Sequence, residues 1–467
     1  MSRRFLFAAT FGISLGTTLG EYVPIFFVVV GAVIVTIVSA GLARRGVVLG
    51  LVIGALLGAW RFTQVIVAYD RSVASLLQES RTINGVVTHT WSVFGREMIE
   101  ISELEFSGAR RSGSVQMTTD PGSGARVGVR VALACRWAAV QANQRLSRAA
   151  QGLLADCRAP DVFQLKGPSS TWRAWLARIR ASVVDHIQRT YHSPQSDLLA
   201  GILLGVQETM TTELRQSFRA TGTSHIVALS GFNVTIIITI LSSALSAVIG
   251  RRAAFWPTTI LIIGFVILTG ASASVTRAAV MALVGLIAGH LGRPVAVARI
   301  ILYAFVGMVL VNPLILLHDL GFQLSFLATL GLIYVSPAVE RLMRVWPEAF
   351  AIRSNLSSTL AAMLVTEPLL LWLFGRLSIV APAVNLAVLP LIPLIMALGT
   401  VALVVPWAVP VTDALLRLVL GTIGVAAAWP VAQVETPWWL AGGLAGMCVW
   451  LVIHFVYASH QETLPRR

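Results

Sequence analysis

Polar and ionisable side chains stand where long apolar runs begin. "GTSHIVALSGFNV", residues 222–234, brings His225, Ser230 and Asn233 to the mouth of one run, and "TGASASVTRAAVM" puts Arg277 at the start of another. "NPLILLHDLGFQLSF" gathers Asn312, His318, Asp319, Gln323 and Ser325 around a turn, and "TEPLLLWLFGRLSIVAPAVN" adds Thr366, Glu367 and Asn385. Ionisable groups at membrane depth are costly, face a bundle interior or a watery cavity, and mark solute or ion pathways. Taken singly, each has a structural reading: Arg277 and Arg376 as snorkelling cations, Asp319 as a helix cap, Ser230, Asn233 and Ser325 as glue between helices. Taken together, on one side of the membrane, they favour a polar cavity.

Other chemistries find less support. Ser230 and His225 are a conceivable nucleophile and base, but no third group orients the histidine and the GxSxG elbow is missing. None of the eight histidines forms HxH or HExxH, so no metal-ligand set is visible. A GxxxxGK[ST] phosphate loop is absent, and Lys166 is the only lysine. The expectation is a protein with no catalytic residue, metal or cofactor. His225 fits either a proton-coupled step or a neutral, hydrogen-bonded structural role.

The elements that must position these residues are membrane spans. Of 467 residues, 56% are hydrophobic and only 12% charged, and several uncharged stretches are long enough to cross about 30 Å of hydrocarbon. Apolar runs at 5–20, 22–42 and 46–62, then nine more from 226 to 458, predict about 12 spans. The net charge of +14 fits the positive-inside rule, although an arginine-rich chain also suits phosphate. Arg3, Arg4, Arg44 and Arg45 place the N-terminus in the cytoplasm. Later arginines repeat the bias, with Arg376 as the exception, and put the C-terminus there too.

Between residues 63 and 170 the pattern changes. "TINGVVTHTW", "EMIEISELEFSG", "SGSVQMTTD" and "GVRVALACRW" are short alternating runs separated by turn signals, the signature of a small β-barrel or sandwich outside the membrane. Cys135 and Cys157 fall in or just after it, where an oxidising compartment permits a disulfide. Trp91, Phe94, Phe106 and Trp137 either stack bases or fill the core; Arg110, Arg111, Arg126 and Arg130 would attract phosphates, whereas Glu97, Glu100, Glu103 and Glu105 mark a face that is not a nucleic-acid groove. Residues 171–195 form an amphipathic helix that either lies in the membrane interface or packs on the β domain. "LLAGILLGV", residues 198–206, is too short to span and reads as re-entrant or interfacial. A channel-like domain over 196–458 and a tail over 459–467 complete the chain.

In that domain a resemblance becomes specific. "LLAGILLGVQETMTTELRQSFRATGTSHIVALSGFNV", "LTGASASVTRAAVMA", "NPLILLHDLGFQLSFLATLGLI" and "PLLLWLFGRLSIVAPAVNLAVLPLIP" resemble, in order, the motifs of the ComEC-type competence protein family. The upstream β segment is similar to that family's extracytoplasmic OB-like domain. The resemblance carries Gly222, Thr223, His225, Ser230, Gly231, Gly270, Arg277, Asp319, Gly321, Phe322, Gln323, Ser325 and Asn385 over as motif positions, without assigning their roles. Asn233 departs from the pattern, since many members have histidine there. The C-terminal metallo-β-lactamase-like domain of longer members has no counterpart here, so nuclease activity is not expected.

The resemblance implies a bacterial inner-membrane channel that takes up single-stranded DNA during natural transformation. Its partners would be single-stranded DNA, membrane lipids, a DNA receptor outside and a cytosolic helicase or translocase. The alternative is a transporter of another polar or anionic solute on the same scaffold.

Overall fold

The computed structural model describes residues 44–447 with short interruptions. The expected spans at 5–20 and 22–42, most of that at 438–458, and the tail at 459–467 lie outside the described residues.

Helix α1, Arg44–Glu79, begins with the apolar run but continues well beyond it. Phe62, Val65, Ile66, Tyr69, Val73 and Leu76 recur at helical spacing and pack into the core of the β domain. The helix thus occupies the start of the 63–170 segment, and the first strand begins at Thr82, where the run "TINGVVTHTW" starts. Tyr69 Oη donates to the Leu153 carbonyl at 2.9 Å. Burial pushes this hydroxyl above the usual tyrosine value, partly offset by the Arg148 guanidinium.

Seven strands follow: β1 Thr82–Val93, β2 Arg96–Phe106, β3 Ala109–Arg111, β4 Ser114–Thr119, β5 Val129–Ala134, β6 Leu153–Cys157 and β7 Val162–Pro168. Six run in the order β6-β4-β2-β1-β5-β7, and β3 pairs with β2. Among the described residues β6 and β7, the two ends of this path, are not paired with each other. Alternation explains the inner face: Ile99 and Ile101 point inward between glutamates, and a left-handed residue, Glu103 at φ 52°, shifts the phase so that Leu104 is also buried. Helix α2, Arg145–Gln151, leads into β6. Cys135 and Cys157 form a disulfide with Cα atoms 6.1 Å apart, and Trp137 packs at the edge of the same core. The side chains of Trp91, Phe94, Phe106, Arg110, Arg111 and Arg126 lie outside the described residues.

The remaining chain is helical: α3 Trp172–Thr190, α4 Gln195–Leu204, α5 Thr212–Ala220, α6 Ser224–Val227, α7 Gly231–Ile249, α8 Phe255–Leu268, α9 Ala273–His290, α10 Val297–Val311 and α11 Ile315–His318. Helix α12, Leu320–Leu330, runs through a π turn at Gly331–Val335 into α13, Ser336–Leu342. Then come α14 Ile352–Phe374, β8 Arg376–Ser378, α15 Ala381–Val388, α16 Ile392–Ala402, α17 Ala408–Ala427 and β9 Gln433–Glu435. Among the described residues four stretches, Leu320–Leu342, Arg353–Phe374, Ala381–Ala402 and Ala408–Ala427, are long and apolar enough to cross a bilayer. Shorter apolar helices, Gln195–Leu204, Phe255–Leu268, Ser274–His290 and Val297–Val311, accompany them.

Cross-links fix which helix ends share a level. Glu340 pairs with Arg353 at 3.7 Å, and a Cβ on Gly331 would stand 2.7 Å from the Ala361 carbonyl, so α12–α13 and α14 are antiparallel neighbours. Asp319 and Arg376 therefore lie at one end. Strand β8 pairs with β9, bringing Arg376–Ser378 beside Gln433–Glu435. Ser378 Oγ donates to the Ala220 carbonyl at 2.6 Å, adding the end of α5 to this level.

The β domain sits at the same end. Asn312 Nδ2 donates to the Ala150 carbonyl at 3.0 Å, and Arg61 reaches the carbonyls of Leu310 and Val311 at 2.7 and 3.1 Å. Leu314, 1% exposed, belongs to the β-domain core rather than to the helical one.

Candidate functional site: a polar helix junction beneath the β domain

The N-terminal turns of α7 and α9 and the second half of α12 meet at Arg277. Close approach of α7 depends on Gly231, where a Cβ would fall 2.7 Å from Arg277 Nη2. The Gly231 amide, an orphan donor of the first helical turn, donates to Ser274 Oγ at 3.1 Å, and Ser274 Oγ lies 3.3 Å from Ser325 Oγ. The Arg277 guanidinium donates through Nη1 to Thr329 Oγ1, whose own hydroxyl donates to the Ser325 carbonyl at 2.8 Å. Its carbon centre stands 5.5 Å from the Phe326 ring centroid, within cation–π reach.

Arg277 is only 7% exposed and, among the described residues, its Nε is buried without a hydrogen-bond partner. It is therefore an inward-facing cation, not a snorkelling one. A buried guanidinium held by hydroxyls and a ring, with no carboxylate in those contacts, keeps its positive charge available to an anion.

Asp319 and Gln323 play a different part. Asp319 Oδ1 accepts from the Phe322 amide at 2.9 Å, capping α12. Gln323 Nε2 donates to the Leu316 carbonyl at 3.0 Å and ties α12 to α11. The Phe322 ring packs at a tilt against those of Phe305 and Phe326, so the rings wedge α12 against α10 beside the arginine. Gly321 is exposed, with Asp319 Oδ1 as its near neighbour.

A second group lies around Gly222. It adopts φ +66°, and a Cβ there would meet the Ala381 Cβ at 2.6 Å, so only glycine suits both the backbone and the contact. Thr221 and Thr223 are fully buried and share a hydroxyl contact of 2.8 Å. His225 is exposed at the surface of α6, with Nδ1 3.2 Å from the Gly222 carbonyl. Asn233, 1% exposed, is at hydrogen-bond range of the Ile226 carbonyl, 3.5 Å away. Asn385 is buried in α15 and, among the described residues, its Oδ1 has no partner.

The expected site residues thus form two groups at one end of the bundle: Gly231, Arg277 and Ser325 in one, Gly222, Thr223 and His225 in the other. Ser230 and Gly270 lie outside the described residues. Ser274, Phe326 and Thr329, which hold the arginine, were not singled out from the sequence. Their signal is weak: Ser274 and Thr329 are hydroxyls three or four residues from a motif position, and Phe326 is an ordinary apolar residue beside Ser325. Among the described residues no group of histidine, cysteine and carboxylate side chains is arranged to hold a metal.

Helices long and apolar enough to cross a bilayer, a β domain at one end and an inward arginine below it are the features of a helical membrane protein with a polar junction. A family model described as "Competence protein" matches residues 202–461. The chain belongs to this competence protein family. It is also similar to ComE operon protein 3 of Bacillus subtilis (strain 168), 24% identical over 250 residues, covering 53% of this chain and 30% of that relative. The match therefore spans less than a third of that relative's length. No solved structure matches it.

Proposed function

We propose that the chain serves DNA uptake in competence as an inner-membrane channel for a single strand. The observation that carries this reading is Arg277: an inward cation beneath the β domain, in a member of the competence protein family. A single strand offers one phosphate per nucleotide, and a guanidinium fork with an unused Nε suits an oxyanion. The β domain, read as OB-like, lies outside the cell and receives the strand; Arg277, Ser325 and Gln323 form the first constriction, and Asn385, His225 and Asn233 border it. Both termini are cytoplasmic. No residue is assigned a catalytic role, and the strand is pulled from the cytosol by a helicase or translocase. A receptor outside and the surrounding lipids complete the partners.

The test is a deletion strain given labelled donor DNA, complemented with the wild type or with Arg277→Ala. Loss of cytoplasmic label on deletion, restored by the wild type and not by the variant at equal membrane abundance, is expected. Label reaching the cytoplasm in the deletion strain would overturn the reading and move transport of another anionic solute ahead of it.

A further inference from the structure

Helix α3 does not end where it starts. It begins four residues after β7, at the β-domain end, and Ile187 in its last turn and Tyr191 just beyond it are buried in the same apolar cluster as Ala408 and Leu416 of α17. The Tyr191 hydroxyl stands beside Thr412 and Asp413. That is the start of α17, whose other end leads to β9 and back to the β-domain level. A helix of 19 residues is about 28 Å long at 1.5 Å per residue, close to the hydrocarbon thickness of a bilayer. Helix α4 then returns alongside it: Arg180 Nη2 donates to the Leu204 carbonyl at 3.4 Å, and every residue from Ser196 to Leu204 is buried.

The outer face of α3 is polar along this length. Arg178, Ser182, Asp185 and Arg189 are exposed at helical spacing, while Val183, Val184 and Ile187 face the bundle core. Arg189 and Asp185 pair at 2.6 Å. At the far end these residues run into a cavity of about 400 Å³ lined by Gln188, Arg189, Tyr191, Ser196 and Asp197 among others, where Ser193 Oγ donates to Asp197 Oδ2 at 2.7 Å. Charged side chains at hydrocarbon depth face water or protein, not lipid.

We propose that α3 crosses the full thickness of the bundle, that its stripe Arg178–Ser182–Asp185–Arg189 borders a water-filled conduit, and that the cavity at Tyr191 and Asp197 is the mouth away from the β domain. That the conduit carries a phosphodiester strand rests on the reading above; that it exists does not. Single cysteines placed at Trp175, Ser182, Val183 and Gln188 of the full chain, with Cys448→Ala, are treated with a membrane-impermeant maleimide in right-side-out and inside-out vesicles.

The expected pattern is labelling of Trp175→Cys from the β-domain side only, of Gln188→Cys from the other side only, and of Ser182→Cys from water, with Val183→Cys unreactive. Labelling of both end positions from one side would overturn the crossing and lay the helix in the interface. A Ser182→Cys variant that reacts only with a lipid-soluble maleimide, or that cross-links two copies on oxidation, would overturn the conduit. Added single-stranded DNA is expected to abolish labelling of Ser182→Cys. Sided labelling without that protection would leave the conduit standing and overturn its DNA cargo.

Discussion

The β domain and the helical region solve the placement of polar groups in opposite ways. In the β domain the charged partners are partly exposed and ring a closed apolar core: Arg145 with Asp70, Arg148 with Asp156 at 2.6 Å. Exposed pairs of this kind contribute little, about 0–1 kcal/mol, so the core, the disulfide and the Tyr69 anchor carry the stability. In the helical region Arg277, Asn233, Gln323 and Asn385 are turned inward, and the first three are satisfied, in part, by hydroxyls and carbonyls. Inward polarity of this sort costs stability and is retained where a passage or a binding event uses it. The difference separates a domain built to hold its shape from one that, on the proposed function, is built around a path.

The contrast breaks first at Arg277. Arg277→Ala removes the inward charge, and loss of a buried charged partner at about 3 kcal/mol corresponds to roughly a hundredfold fall in uptake. Cytoplasmic donor label at matched membrane abundance checks it, and wild-type uptake by the variant would make the junction merely structural. Next is Gly222→Ala, which forces a side chain into a left-handed position 2.6 Å from Ala381; a loss of about 1–3 kcal/mol is expected in thermal unfolding of the detergent-solubilised chain.

On the β side, Cys135→Ser with Cys157→Ser opens a link between residues 22 apart in sequence and should lower the stability of that domain by about 2–4 kcal/mol. Limited proteolysis between β5 and β6 reads it, and cleavage no faster than in the wild type would show that the core alone suffices. The smallest effect is expected for Tyr69→Phe, about 1 kcal/mol from one buried hydrogen bond, measured as a small shift in the same proteolysis rate. Equal losses of uptake from all four changes would erase the contrast between the two regions.

Much of this was legible in the residues, and the reasons differ by element. Strands β1, β2, β4 and β5 were visible because alternation and turn residues are local signals. The second half of α1 was missed although Phe62, Val65, Ile66, Tyr69, Val73 and Leu76 carry a helical period, because the apolar run before it reads as a complete span. The capping role of Asp319 follows from its position ahead of an apolar helix. The cradle of Arg277 does not: Ser274 is near in sequence, but Thr329 and Phe326 are about fifty residues away and are brought close only by packing. The docking of Asn312 on Ala150 spans a still longer separation and leaves no trace in local pattern.

Leu314 sets a rule for anyone grafting parts between relatives. It lies in the turn before α11 yet fills the core of the β domain. An exchange of residues 82–168 alone would bring in a core shaped for a different plug, and an unfilled leucine site costs about 2–5 kcal/mol. A working chimaera therefore has to move three pieces at once: the second half of α1, the strands and residues 312–314.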